Sequence, residues 1–335
     1  MDNMLYKLIS GTRTLSVIGM CKNAGKTTAL NKLIRACEAN GDTLGLTSIG
    51  RDGERSDLVT NTKKPEIFIR GGTLIATASA LLNECDISRE ILSTTGISTP
   101  MGEIVIVRAM SSGYVQIAGP SMTAELTGIR DELYDLGCTR VFIDGAISRK
   151  SLGAPHIADG VILCSGASYD VSMRKTAEDT AYVASLFSLP AYSSPAGELD
   201  ATCKFHLVRG GEAVSFASFA ELSADIKNGF DALIVMGAFT DRIAAELLNY
   251  GKLLSGGAVV AEDASRLLLG RASFNKLNRA ADGFAVIKGS RLLAVTVNPF
   301  SAYGNHYDKF GFEENVAGAI RSVGIDVPVI NVTEV

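Results

Sequence analysis

Short apolar runs broken by polar, glycine-rich stretches fill the first half of the chain, and their lengths predict strands with a few helices between them. Residues 15–18 (LSVI) are too few for a helix, stop at Gly19 and read as a buried strand. Apolar positions then recur at helical spacing over 26–39, and 42–49 (DTLGLTSI) reads as a second strand. From 63 to 118 the pattern alternates. EIFIRGGTLIAT and EIVIVRAMSSGYVQIAG predict two β-hairpins, turning at Gly71 and Gly72 and at residues 111–113, with a helix over 78–92 between them. Ser121 is placed to cap a helix, TAELTGIRDELYDLG, and the runs 140–144 (RVFID) and 161–164 (VILC) are further strands.

Residues 190–201 (PAYSSPAGELDA), rich in proline, serine and glycine, mark the expected domain boundary. Beyond them, apolar runs at 231–236, 258–261, 284–287 and 292–297 predict strands, the last two forming a hairpin that turns at 288–290. Residues 240–250 predict a helix capped by Thr240 or Asp241 and stopped by Gly251. The 335 residues have room for two α/β domains. The expectation is a domain over 1–190 with a mostly parallel sheet and inserted hairpins, and a smaller α/β domain over 203–335.

Composition narrows the class. Hydrophobic content of 47% with 20% charged residues fits a globular protein, and no apolar run is long enough to span a bilayer. The opening MDNMLYKLISGTRT lacks the basic-then-apolar pattern of a secretory signal, so a cytoplasmic location is expected. A net charge of −4 argues against nucleic acid as the main partner. Six scattered cysteines without a C-x-x-C pair, and only three histidines (His156, His206, His306), form neither a metal-site nor a disulfide pattern.

The chemistry concentrates after the first strand. Gly19, Gly25, Lys26 and Thr27 have the spacing G-x-x-x-x-G-K-[ST] of a P-loop, whose backbone amides crowd round phosphate. The expected site is Gly19, Asn23, Ala24, Gly25, Lys26, Thr27 and Thr28 around ATP, with Lys26 on the outer phosphates and Thr27 on Mg²⁺. The following helix would aim its positive end at the same anion. Asp144, ending an apolar strand downstream, is the expected second Mg²⁺ element. Cys21 lies within the loop, where its oxidation could block the site. Arg149, Lys150 and Ser151 read equally as an anion contact or a solvated loop, whereas Gly304, Asn305 and His306 read as a bonded loop in preference to a catalytic one. No [NT]-K-x-D motif occurs, which favours ATP over GTP.

The loop KNAGKTT resembles the P-loop NTPase branch that includes dethiobiotin synthetase, the molybdopterin-guanine dinucleotide adapter proteins and the cobalamin-enzyme G-protein chaperones. That likeness implies a catalytic and metal-arranging acid after the second strand, Asp52, with Glu54 as the alternative. KNAGKTT, SIGRDGE, TNTKKP, GGTLIATA, TTGISTPMGEIVIVRA, QIAGPS and FIDGAISRKS together resemble the reactivase subunits of lysine 5,6-aminomutase, and TVNPFSAYG agrees. The resemblance implies a chaperone-like ATPase that uses Mg-ATP to free an adenosylcobalamin-dependent aminomutase of damaged cobalamin. Lys26, Asp52 and Asp144 would carry turnover, with Thr27, Asp52 and Asp144 on the metal. A mismatch-repair-like ATPase subunit would be a partner, in a hetero-oligomer or beside a homodimer. A phosphate-transferring enzyme of the dethiobiotin-synthetase kind and a non-catalytic nucleotide-binding adapter are the competing readings.

Overall fold

In the computed structural model, which describes residues 2–49, 66–146, 154, 156–193 and 199–333, helix α1 (Asp2–Ile9) precedes the first strand, β1 (Thr14–Gly19). Every residue of β1 is buried, as in a strand covered on both faces. A tight loop leads into α2 (Lys26–Ala39), whose buried Leu30, Leu33, Ile34 and Cys37 share one side of the helix. There follow β2 (Leu44–Ser48), β3 (Ile67–Ile69), β4 (Leu74–Ala78), β5 (Arg89–Thr99), β6 (Gly102–Ala109), β7 (Gly113–Val115), α3 (Thr123–Asp135), β8 (Arg140–Ala146), β9 (Gly160–Gly166) and α4 (Met173–Phe187).

The chain divides into two units, Met1–Ala184 with Arg291–Val335, and Ser185–Ser290. The second contains β10 (Phe205–Arg209), β11 (Glu212–Phe216), α5 (Phe219–Asp225), β12 (Ala232–Val235), β13 (Phe239–Thr240), α6 (Asp241–Leu248), α7 (Gly251–Leu254), β14 (Ala258–Asp263), β15 (Leu267–Leu268), α8 (Arg271–Ala280) and β16 (Phe284–Lys288). The chain then returns to the first unit with β17 (Leu292–Asn298), α9 (Lys309–Ser322) and β18 (Val329–Asn331).

Among the described residues, the first unit holds a nine-stranded sheet in the order β18-β17-β9-β1-β8-β2-β4-β6-β5. From β18 to β4 the strands are parallel, and β6 and β5 close that edge antiparallel. The architecture is therefore α/β with a large, mostly parallel mixed sheet. Leu5 and Ile9 of α1 and the buried side of α2 join Leu15, Val17, Leu44, Leu46 and Phe142 in one core, which fixes that face of the sheet. No helix among the described residues is long and apolar enough to cross a membrane.

Several local expectations give way to non-local pairing. Gly71 and Gly72 connect β3 to β4, but β3 pairs with β7, Phe68 opposite Tyr114, while β4 enters the main sheet between β2 and β6. The second expected hairpin, at 111–113, is also absent: a Cβ on Gly113 would lie 1.8 Å from the Asp86 carbonyl oxygen, so that glycine serves a close approach between backbones. The hairpin that does form joins β5 to β6 at Pro100 and Met101. The helix expected over 78–92 shrinks to a 3₁₀ segment, Ser79–Glu84, before β5, where β-branched residues favour the sheet. Met122 rather than Ser121 caps α3, its amide donating to the Glu125 carboxylate at 3.3 Å. Gly251 does not end the helical stretch but opens the single turn of α7.

The runs 284–287 and 292–297 are both strands, yet they belong to different sheets. Residues 291–335, expected within a domain spanning 203–335, join the first unit because β17 lies parallel to β9. The compositional boundary at 190–201 falls near the first crossing, at Ser185. The second unit has its own sheet, ordered β11-β10-β12-β14-β16, with a β10–β11 hairpin turning at Gly210 and Gly211. Phe239, Phe274 and Phe284 pack together on one side, with ring centroids 5.1 to 5.8 Å apart around Phe284.

Candidate functional site

The loop from β1 to α2 is built by close approaches that exclude side chains. A Cβ on Gly19 would stand 2.7 Å from Cγ and 3.2 Å from Nζ of Lys26, so the lysine folds back across the end of β1 with its ammonium beside the loop. Asn23 and Gly25 are left-handed, with φ of 61° and 88°. Asparagine tolerates that conformation better than most residues, and at Gly25 a side chain would also strike Cβ of Asn298 at 2.9 Å. A Cβ on Gly166, at the end of β9, would come within 2.8 Å of Ala24 Cα. Met20 continues the β1–β9 ladder by donating to the Cys164 carbonyl at 2.8 Å, which anchors the loop's first residue.

Among the described residues, the helix that follows begins without its usual protein partners. Gly25 is its N-cap and supplies no side-chain bond, and no acidic residue stands in the first turn. The first amide bonded back to the cap is that of Ala29, 3.0 Å from the Gly25 carbonyl. The amides of Lys26, Thr27 and Thr28 therefore precede the helical ladder, at the positive end of the helix dipole. Nδ2 of Asn23 is buried and has no hydrogen-bond partner among the described residues. An ammonium, helical amides that precede the intrahelical ladder and a carboxamide donor without a partner among the described residues belong to one short loop, a donor set suited to an anion.

Asp144 stands on β8, next to β1, in register with Val17 on one side and with Ser48 of β2 on the other. It is half-buried, and its carbonyl accepts from the amide of Ile49 at 3.3 Å. Between Asp144 and Lys26 electrostatically is the thiol of Cys164, pushed up to about 11, first by burial. Lys26 lowers that value in part and Asp144 raises it. The structure thus places Gly19, Asn23, Ala24, Gly25, Lys26, Thr27 and Thr28 in one loop and helix start, with Asp144 on the adjacent strand. Asp52 and Glu54, and the basic stretch Arg149, Lys150 and Ser151, lie outside the described residues.

The loop sits where the sheet's connections diverge. From β1 the chain proceeds through α2 to β2 on one side, whereas β9 and β17 lie on the other. Crevices at the carboxyl ends of such strands are the usual ligand positions in open α/β sheets. Asn298, at the end of β17, faces the loop and was not singled out by sequence; its signal was an Asn-Pro step directly after a buried apolar run. His306 proves to be a loop-holding residue, its Nδ1 accepting from the Ser301 amide at 3.1 Å. The segment AGPS is pinned over the ends of β2 and β4 by bonds from the Gly119 amide to the Ser48 hydroxyl and from the Ala118 amide to the Thr77 hydroxyl, both 2.9 Å.

Cys21, within the loop, is pushed up to about 11 by burial, partly offset by Lys26. All six cysteines are free. Among the described residues no group of three or more His, Cys, Asp or Glu could hold a metal by itself. Comparison of the chain with protein-family models, with curated proteins and with solved structures gives no significant match in any of the three.

Proposed function

We propose that the β1–α2 loop is a P-loop that binds Mg-ATP, and that the protein is an ATPase of the P-loop NTPase class. The observation that carries this reading is the uncapped start of α2 behind a left-handed glycine, with Lys26 folded over Gly19. A triphosphate suits that donor set: backbone amides and Asn23 Nδ2 for oxygens, and an ammonium for the outer charge. Thr27 and Asp144 are the residues that would hold the magnesium ion, which neutralises charge between the outer phosphates when bound. Such an ion would rely mainly on phosphate and water oxygens, in keeping with the absence of a multi-carboxylate cage among the described residues. Asp52 is proposed for the same metal-arranging role on sequence grounds alone.

The test is direct. Lys26→Ala abolishes Mg-ATP binding, whereas Asp144→Asn and Asp52→Asn retain binding and lose turnover by about a hundredfold or more. Unchanged ATPase activity in all three variants defeats the assignment.

On the segment resemblance we further assign the ATPase to the reactivation of an adenosylcobalamin-dependent aminomutase. Nucleotide can drive that process only by binding one state of the complex better than another. The measurement is cobalamin release from inactivated mutase in the presence of this protein, its mismatch-repair-like partner subunit and Mg-ATP. Release no greater than in the nucleotide-free control removes this assignment and leaves the ATPase reading in place.

A further inference from the structure

Asn298 meets the β1–α2 loop from near the other end of the chain. Its Nδ2 donates to the Asn23 carbonyl at 3.2 Å, its Oδ1 accepts from the Phe300 amide at 3.1 Å, and its own carbonyl accepts from the Ala167 amide at 2.9 Å. One residue therefore joins the β1–α2 loop to the loops that follow β9 and β17.

The contact to Asn23 has a directional consequence. The Asn23 carbonyl and the Ala24 N–H belong to the same rigid trans peptide and point to opposite sides of it. Fixing the oxygen fixes where the Ala24 amide points, and that amide is among those expected to receive phosphate. The peptide sits between left-handed Asn23 and left-handed Gly25, conformations that need outside support where a side chain is present. Beyond Asn298 the next loop is bonded within itself, Ser301 to His306 and Tyr303 to the Ser301 hydroxyl, and to the loop after β9, Ala302 to the Ser168 hydroxyl, each at 3.1 Å. Phe300 and Tyr303 on this loop are 44% and 54% exposed.

Building on the nucleotide-binding reading above, we infer that Asn298 is a positioning residue. It orients the 23–24 peptide for phosphate and carries the occupancy of the loop to the exposed aromatic surface at Phe300 and Tyr303. Nucleotide that favours one orientation of that peptide then favours one arrangement of the Asn298 carboxamide and of the Phe300 amide bonded to it.

The chain contains no tryptophan, so Tyr303→Trp supplies a single emission reporter on the surface loop. Calorimetric titration with Mg-ATP gives affinity, and tryptophan emission at saturation gives the state of the loop. The reporter protein binds Mg-ATP and its emission shifts. Adding Asn298→Ala weakens binding by about tenfold, the scale of one net hydrogen bond, and abolishes the emission shift even at saturation. Asn298→Asp keeps an acceptor for Phe300 but has no donor for Asn23, so it loses the shift as well; it also stands in should the alanine variant fail to fold. A shift retained at saturation in the folded Asn298 variants, or a reporter protein that binds without any shift, overturns this inference alone. A reporter protein that binds no Mg-ATP overturns the nucleotide reading and this inference together.

Discussion

Arg140 on β8 reaches the carboxylate of Asp42 at 3.0 Å in a pair almost wholly withdrawn from water. Nη1 of the same guanidinium donates to the carbonyls of Ile9, at 2.7 Å, and of Thr12, so one side chain ties the end of α1 and the approach to β2 onto β8. Removing one partner of a buried pair leaves the other charge uncompensated, at a cost of about 3–5 kcal/mol. Arg140→Ala is expected to lower the stability measured by urea unfolding by that amount. Arg140→Lys, which keeps the charge but loses the planar fork, should fall between it and wild type. A loss near the surface-pair value of about 0–1 kcal/mol would show that the pair does not behave as buried.

Gly19→Ala should separate binding from folding. The added methyl would meet the flexible methylenes of Lys26 rather than backbone, so the lysine can be displaced while the strand survives. The expected outcome is a melting temperature within a few degrees of wild type, the shift of roughly 1 kcal/mol or less, with Mg-ATP affinity down by about tenfold or more. Calorimetric titration beside a thermal melt checks both. Affinity equal to wild type would mean that the lysine's folded-back position is irrelevant to ligand.

His206 makes the second unit sensitive to acid. The imidazole is fully buried in β10, its Nδ1 paired with the Ser215 hydroxyl at 2.9 Å, and burial lowers its pKa below the ordinary 6.5. The folded state therefore favours the neutral ring, and the unfolded chain binds more protons as pH falls below about 6.5. Its stabilising contribution is complete above that pH and is lost as pH drops toward the depressed folded value. Thermal melts between about pH 7.5 and pH 5 should show a decline that is shallower in His206→Asn. Parallel slopes would exclude the ring as the source.

Cys21 gives a chemical readout of the loop. With its thiol pushed up to about 11, the thiolate at pH 8 is about one part in a thousand, so alkylation is slow and rises about tenfold per pH unit. Iodoacetamide labelling followed by mass spectrometry should show that slope, and Mg-ATP should suppress modification at Cys21 while leaving that at Cys203 unchanged. Equal labelling with and without nucleotide would place the ligand elsewhere.

What could be read from sequence was what is local. The run LSVI followed by GKTT defines a strand, a loop and a helix within a few residues, and the short apolar runs VFI in β8 and VILC in β9 are equally local signals. Pairing between distant segments left no such trace. β3 finds its partner in β7 rather than across the adjacent glycines, and β16 and β17, a few residues apart, enter different sheets. Asn298 stood in the sequence only as an Asn-Pro step after an apolar run, with nothing to mark its partner, because the carbonyl it holds is 275 residues away. The 3₁₀ segment in place of a longer helix shows tertiary context overriding local spacing.

The departure of the chain at Ser185 and its return at Arg291 set an order on biosynthesis. Until β17 emerges from the ribosome, β9 presents an unpaired edge of the main sheet, and the β1–α2 loop lacks its brace. A nascent chain stalled before that point can complete the second unit while the first still waits, with an adhesive strand exposed to any neighbour.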